Sequence, residues 1–348
     1  MTRFTLGLVR RSGRAAGRRA ALVLGGLLLF SPAIHAQTVE STGSRALGMG
    51  GAFVAVANDS SAVWWNPGGL AEGPFFDSAV TWTTTEVDQG APIGRNNVSG
   101  FFVGTPPAGF SYYQIRIQES PTAGGQPGRE DEQGGIPLRS LSATQLGVTL
   151  VHSLFSSVHA GATLKYVRGS VGAGFGSVTS SGADLLDDAG DLDRGDTEHK
   201  FDMDIGVLGV AGPMRFGAVV RNVFELEFDG DDPSLPPVKL PRQVRFGAAL
   251  DASTVGLPLT VALDVDALRY DSPWGDRRVV AVGAEHWVVK RRLALRGGAR
   301  FNTVGREEKT GTAGVSVGVR AGLYLDGHVV RGGDAGERGW GVAARVSF

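Results

Sequence analysis

The sequence predicts an all-β fold, an antiparallel transmembrane β-barrel of about fourteen strands with an N-terminal hatch segment inside the lumen. Three observations predict it. Segments of alternating polarity recur along the chain, the links between them alternate between long and short, and no apolar stretch reaches the roughly 20 residues of a membrane-crossing helix.

Residues 1–36 read as a signal peptide. Arg3, Arg10, Arg11, Arg14, Arg18 and Arg19 precede an apolar run from Ala20 to Phe30, and Ser31-Pro32 and the small-residue site Ala33-Ile34-His35-Ala36 follow. Arg10-Arg11 is followed by Ser12-Gly13-Arg14 rather than by apolar residues, so ordinary secretion is expected over the twin-arginine route. Cleavage after Ala36 removes six of the 34 basic residues and none of the 35 acidic ones, leaving a net charge of −7. A mildly acidic chain makes a poor nucleic-acid binder, so no nucleic acid is expected among its partners. Cysteine is absent, which excludes disulfides, thiol chemistry and zinc thiolate sites. The 53 glycines have no collagen-like period and read as strongly bent, closely packed strands.

Residues 37–73 come next, and Ser44 to Ala71 is apolar, Gly-rich and not strand-like. Asn58 or Asp59 is suited to cap a short helix through Val63 to Trp65, which Pro67 ends. Gly48-Met49-Gly50-Gly51 is not a nucleotide loop, because no strand and βαβ unit surround it. This segment is the expected hatch. Phe53, Trp64, Trp65 and Leu70 are its candidate apolar contacts.

Residues 74–348 carry the strands, expected near 75–83, 97–104, 109–118, 139–153, 157–170, 198–210, 213–224, 241–252, 257–268, 277–289, 292–302, 312–320, 322–331 and 338–348. The last is the clearest. Trp340, Val342, Ala344, Val346 and Phe348 share one face, and Gly341, Ala343, Arg345 and Ser347 the other. Long links at Thr84–Asn96, Glu119–Leu138, Val171–Thr197 and Glu225–Leu240 alternate strictly with short ones at Gly212, Lys290-Arg291 and Ala321. A soluble sandwich also alternates along its strands, but it has no reason to sort loop length by side. In lipid the backbone must satisfy itself, so the sheet must close and the charged face must point into the lumen. That face carries Lys165, Arg215, Arg221, Arg245, Arg296, Arg300, Arg320 and Arg345 against Asp202, Asp204, Asp251, Asp264, Asp266, Glu285 and Asp326. Near-balanced charge fits ion pairs that brace the wall and hold a plug better than an ion-selective pore. Membrane lipid is therefore an expected partner.

Ala46-Leu-Gly-Met-Gly-Gly-Ala-Phe53 and Trp65-Asn66-Pro67-Gly68-Gly69-Leu70-Ala71, ahead of a barrel ending in Phe348, resemble the FadL/TodX superfamily, closest to its PorV/PorQ branch. Phe216-Gly-Ala-Val-Val-Arg-Asn222, Leu240-Pro-Arg242 and Gly283-Ala-Glu-His-Trp287 extend the resemblance to about half of the chain. It implies a fourteen-strand barrel in the cell outer membrane, with a hatch whose Asn-Pro-Ala corresponds to Asn66, Pro67 and Gly68. Gly68 in place of Ala is expected to loosen the turn. Trp340 and the terminal Phe348 resemble the signal read by the outer-membrane insertion machinery. The resemblance implies hatch-gated uptake of a hydrophobic small molecule, of long-chain fatty-acid or aromatic type. The alternative it implies is a non-catalytic scaffold or shuttle that holds secreted protein cargo at the cell surface, as in a type IX-like secretion system. The Ala/Arg/Gly-rich composition favours uptake.

No enzyme chemistry and no cofactor are expected. His152, His159, His199, His286 and His328 are scattered, and Gly174-Phe-Gly-Ser177-Val178 lacks the second glycine of a nucleophile elbow. Asp326 and His328 share a face, but no serine at a fitting spacing joins them. Asp191, Asp193 and Asp196 faintly resemble a calcium loop without the EF-hand spacing or its distal Glu, and read as a solvated acidic loop.

Overall fold

The computed structural model describes residues 42–89, 92–120, 135–230, 237–270, 276–289, 292–305, 308–333 and 337–348. The expected signal peptide of residues 1–36, the first residues of the expected hatch up to 41 and the expected turn Lys290-Arg291 lie outside them. The chain opens with helix α1 (Ser44–Gly48), helix α2 (Ala62–Trp65) and a 3-10 helix (Pro67–Glu72). The strands follow: β1 (Asp77–Val87), β2 (Ile93–Thr105), β3 (Ala108–Ser120), β4 (Ile136–Phe155) and β5 (Val158–Gly176). Helix α3 (Gly182–Asp191) precedes β6 (Glu198–Ala211), β7 (Met214–Arg221) and a small hairpin of β8 (Glu227–Phe228) and β9 (Val238–Lys239). The chain then runs through β10 (Gln243–Asp251), β11 (Leu259–Asp266), β12 (Val279–Val289), β13 (Leu293–Asn302), β14 (Lys309–Arg320), β15 (Leu323–Gly332) and β16 (Arg338–Ser347).

All strands except β8 and β9 form one closed antiparallel barrel of fourteen, each paired with its sequence neighbours. Closure comes from β1 on β16, with Thr81 opposite Ala343 and Trp82 opposite Val342. Closure leaves the barrel sheet itself without an edge. Each expected strand is present, and no helix among the described residues is long and apolar enough to cross a membrane. The period-two pattern sets the faces: Phe216, Phe246, Leu295 and Val342 point outward and are exposed, while Arg215, Arg245, Arg296 and Ala343 point inward.

Four expectations change. The loop at 171–197 is shorter than expected because β5 runs to Gly176. It also holds α3, whose Ser181 Oγ accepts from the Asp184 N–H at 3.2 Å while Asp184 accepts back from the Ser181 N–H at 3.3 Å. Leu185, Leu186 and Ala189 of α3 pack on Ile93 and Leu138 at the rim. The loop at 225–240 contains the β8–β9 hairpin rather than coil alone. Loop length does not alternate strictly, since the link 252–258 at the turn end, with a 3-10 turn at Ala252–Val255, is longer than 88–92 or 333–337 at the loop end. Finally, the glycines do more than bend strands. Many of them face the inserted segment and let its backbone touch the wall.

Candidate functional site

Most of residues 42–71 are buried within the barrel, and the segment touches the wall around most of its circumference. The local fold follows from the residue types. Asp59 Oδ1 accepts from the N–H of Ser61 at 3.0 Å and from its hydroxyl at 2.5 Å, which turns the chain into α2. Asn58, the other expected cap, instead accepts from Arg45 at 2.7 Å. Helix α2 ends at Asn66, whose side chain accepts from the Gly68 N–H at 3.2 Å and starts the 3-10 helix with Pro67 at its first position. The same Asn66 amide donates to the carbonyls of Val54 and Val207, both at 2.9 Å. One side chain thus ties the segment to itself and to β6.

Glycine makes these approaches physically possible. A methyl group on Gly206 would stand 2.2 Å from Asn66 Oδ1, and one on Gly283 would stand 2.2 Å from the Met49 carbonyl oxygen. Gly68, expected to loosen its turn, lies against the wall, where a methyl group would meet the His159 carbonyl oxygen at 2.7 Å. Alanine does not fit there unless the wall shifts.

Charge holds the segment in register. Arg45 forks onto Glu285 at 2.9 and 2.8 Å and reaches Asp59 at 3.1 Å, with its guanidinium 5.1 Å from the Phe53 ring. Asp264 Oδ2 accepts from the backbone N–H groups of Phe53 and Val54 at 2.8 and 2.9 Å. Arg215 donates to the Ala55 carbonyl at 3.0 Å, Thr312 to the Gly48 carbonyl at 3.0 Å and Thr163 to the Val63 carbonyl at 3.1 Å. Arg221 stacks on Trp64 with its carbon 3.6 Å from the ring centroid. Trp65 donates from Nε1 to the Thr42 carbonyl at 2.9 Å and meets Phe53 edge-on at 5.9 Å. Leu70 is buried, with a methyl 2.6 Å from where a Cβ on Gly104 would stand. Burial alone would raise the Asp59 carboxyl. The charges of Arg45 and Arg345 and the Ser61 hydroxyl outweigh it and hold Asp59 below its ordinary value.

Wall pairs brace the rest. Lys165 contacts Asp202 at 2.8 Å and Asp204 at 2.7 Å, Arg245 contacts Asp266 at 2.5 Å, and Arg296 contacts Glu285 at 2.6 Å. Arg300 pairs with Glu337, and Arg345 lies 3.3 Å from Asp326 and 3.4 Å from Asp77. Asp251 is 3.6 Å from Arg215 at the turn end. Arg320 does not join this network. The register shifts between Gly318 and Arg320, and Arg320 is exposed beside the turn. Arg45, absent from the sequence-based candidates, and Asp59, expected there only as a helix cap, are the centre of the lock. The available signal was Arg45 itself, a lone cation in an apolar stretch that required a buried carboxylate.

Above the inserted segment, toward the loop end, β2 to β5 reverse their polarity. Val98, Ile115, Ile117, Leu141, Ala143 and Val167 face inward and are buried, while Asn97, Gln114, Arg116, Ser142 and Arg168 face outward. The expectation that the polar face always points into the lumen is corrected here. Phe228, Val238 and Leu240 of the β8–β9 region join the same apolar cluster, which continues to Trp64.

The remaining candidates are dispersed. His328 is buried, and among the described residues neither of its ring nitrogens has a partner, while Asp326 is occupied by Ser316 and Arg345, so Ser316, Asp326 and His328 do not form a relay. Asp191 closes α3, and among the described residues no group of three or more acidic or histidine side chains converges as a metal site. Trp340 faces outward, and Phe348 stacks on Phe76 at 6.4 Å while exchanging backbone hydrogen bonds with it.

Solved structures share this architecture. The toluene transporter TbuX of Ralstonia pickettii aligns with a TM-score of 0.60 at 14% identity, over 89% of this chain and 99% of that one. The CymD monoaromatic hydrocarbon channel gives 0.62 at 12%, over 90% and 99%, and a Pseudomonas aeruginosa FadL homologue gives 0.62 at 10%, over 90% and 100%. At these identities the likeness is one of fold, that of the FadL/TodX-type barrels. No curated protein matches the chain in sequence. Residues 92–266, from the start of β2 to the end of β11, match the family model described as "F plasmid transfer operon, TraF, protein", and the chain belongs to that family.

Proposed function

We propose that this chain is an outer-membrane barrel that passes hydrophobic small molecules, of fatty-acid or aromatic type, past a hatch formed by the segment up to residue 73. Residues 1–36 act as the signal peptide in this reading, and residues 74–348 form the barrel. One observation carries it. The loop-end lumen is lined by Val98, Ile115, Ile117, Leu141, Ala143 and Val167, whereas a water-filled channel calls for a polar interior. A hydrophobe entering from the loop end meets this lining first and then Trp64, held under Arg221. Passage requires the segment to shift, which breaks the Arg45 fork to Glu285 and the Asp264 contacts. No bond in the solute changes. The barrels of like fold include proteins described as a toluene transporter and a monoaromatic hydrocarbon channel, which supports this solute class. The family's description names an operon and no ligand, so the reading rests on the lumen.

Growth on a hydrophobic carbon source after deletion of residues 44–71 tests hatch control. Altered uptake supports it, and unchanged uptake with a folded barrel counts against it. The alternative, a scaffold of PorV/PorQ type, is favoured by α3, which presents Asp184, Asp187 and Asp188 on the loop rim where secreted cargo would dock. Removal of α3 with uptake retained and cargo display lost would favour that second reading.

A further inference from the structure

The outward face of β2 to β5 changes character within one step of the register. Phe101, Tyr112, Leu146 and Tyr166 lie side by side, and the next outward row toward the loop end is Ser99, Gln114, Thr144 and Arg168. An apolar row edged by aromatic rings and followed by polar side chains marks the level where acyl chains give way to headgroups. A groove of about 420 Å³ opens at this level, with Trp82 and Trp340 among its lining residues and the short side chains of Thr84, Asn97 and Ser142 beside Arg116.

The arginines in this sector differ in their pairing. Arg95 and Arg338, one row farther from the apolar band, are neutralised by Glu86, Asp187 and Asp88. Arg116 lies in the groove, and Arg168 lies beside it, two strands away and one row nearer the apolar band, about 10 Å sideways and about 7 Å along the strands. Both are exposed, and among the described residues neither has a carboxylate within ion-pair distance. Guanidinium groups left free at the headgroup level, beside hydroxyl and amide donors and above an aromatic floor, match an anionic phosphate with acyl chains running down the wall.

We propose that this groove and the wall beside it bind the phosphate headgroup of a membrane lipid through Arg116 in the groove and Arg168 at its side, with the chains lying over Tyr112 and Leu146. The site is on the outer wall and does not depend on what crosses the lumen.

The test is native mass spectrometry of the full barrel extracted from vesicles containing equal amounts of phosphatidylglycerol and an uncharged galactosyl diacylglycerol. The expected result is retention of the phosphate lipid over the glycolipid. Arg116→Gln and Arg168→Gln should each lower that retention about fivefold, with Arg331→Gln, exposed on β15, as the unchanged control. Equal retention of the two lipids by the unmodified barrel overturns the proposal without any variant. Undiminished retention in a folded double variant overturns it as well. Displacement of the lipid by millimolar inorganic phosphate would assign the site to a free anion and overturn the lipid assignment.

Discussion

Arg45 in the inserted segment and Glu285 on β12 form a bidentate ion pair, with nitrogen–oxygen distances of 2.9 and 2.8 Å, across 240 residues of sequence. Asp59 and Asn58 take the remaining guanidinium nitrogen, and Glu285 also holds Arg296. Both partners are almost wholly buried, so removing one leaves the other's charge without compensation. Arg45→Ala should cost about 3–5 kcal/mol of seating energy. The chain has no cysteine, so a single Val56→Cys thiol, buried at 3% exposure, reports the seating. Its maleimide reaction should be slow in the parent and at least about tenfold faster with Arg45→Ala. Equal rates would show that the pair does not hold the segment.

Asp264 presents one oxygen to two backbone N–H groups, those of Phe53 and Val54. Asp264→Ala strands both donors in the interior and should destabilise by about 1–3 kcal/mol for each. Asp264→Asn keeps an oxygen acceptor and should cost less. Urea unfolding of the barrel in vesicles gives the order; an asparagine variant weaker than the alanine one would refute this account of the contact.

Glycine positions offer an internally controlled comparison. Gly206→Ala and Gly283→Ala each place a methyl group 2.2 Å from an atom of the inserted segment, whereas Gly297 faces outward with nothing within 4 Å. The first two should destabilise by about 1–3 kcal/mol or displace the segment, and Gly297→Ala should be neutral. The same urea titration reads all three.

Because Asp59 is held below its ordinary value, its contribution is fully present above that value of 3.8 and fades as pH falls through the lower folded-state value. Thiol reactivity at Val56→Cys, divided at each pH by that of the urea-unfolded chain to remove the fall in thiolate, should therefore rise below that value. Asp59→Asn should remove that part of the rise. A rise of the same size in Asp59→Asn would show that Asp59 does not carry it.

The barrel was legible because strand periodicity is local: all fourteen barrel strands fall where alternation predicts them, from Trp82 on β1 to Val346 on β16. The rim was less legible. β8 and β9 have only two residues each, and α3 depends on Leu185 and Leu186 finding Ile93 and Leu138 far away in sequence. The polarity reversal in β2 to β5 was invisible for a deeper reason. Alternation fixes that Ile115 and Arg116 lie on opposite faces, but only the height along the barrel decides which face meets lipid. Arg45, and the pairing of Asp59 with it, were missed because a short apolar segment has no period from which its partners can be counted. Arg320 had the right parity, which a bulge next to the turn undid.

The central claim is that the inserted segment controls passage of a hydrophobe through an apolar lumen. Its most direct measurement is the initial uptake rate of radiolabelled toluene and oleate by cells carrying the parent barrel, the Arg45→Ala variant at equal surface amount, or no barrel. The account predicts uptake of at least one solute above barrel-free cells, and a change of about fivefold or more with Arg45→Ala. Parent cells no faster than barrel-free cells for either solute, or a variant with the parent's rate, would contradict it.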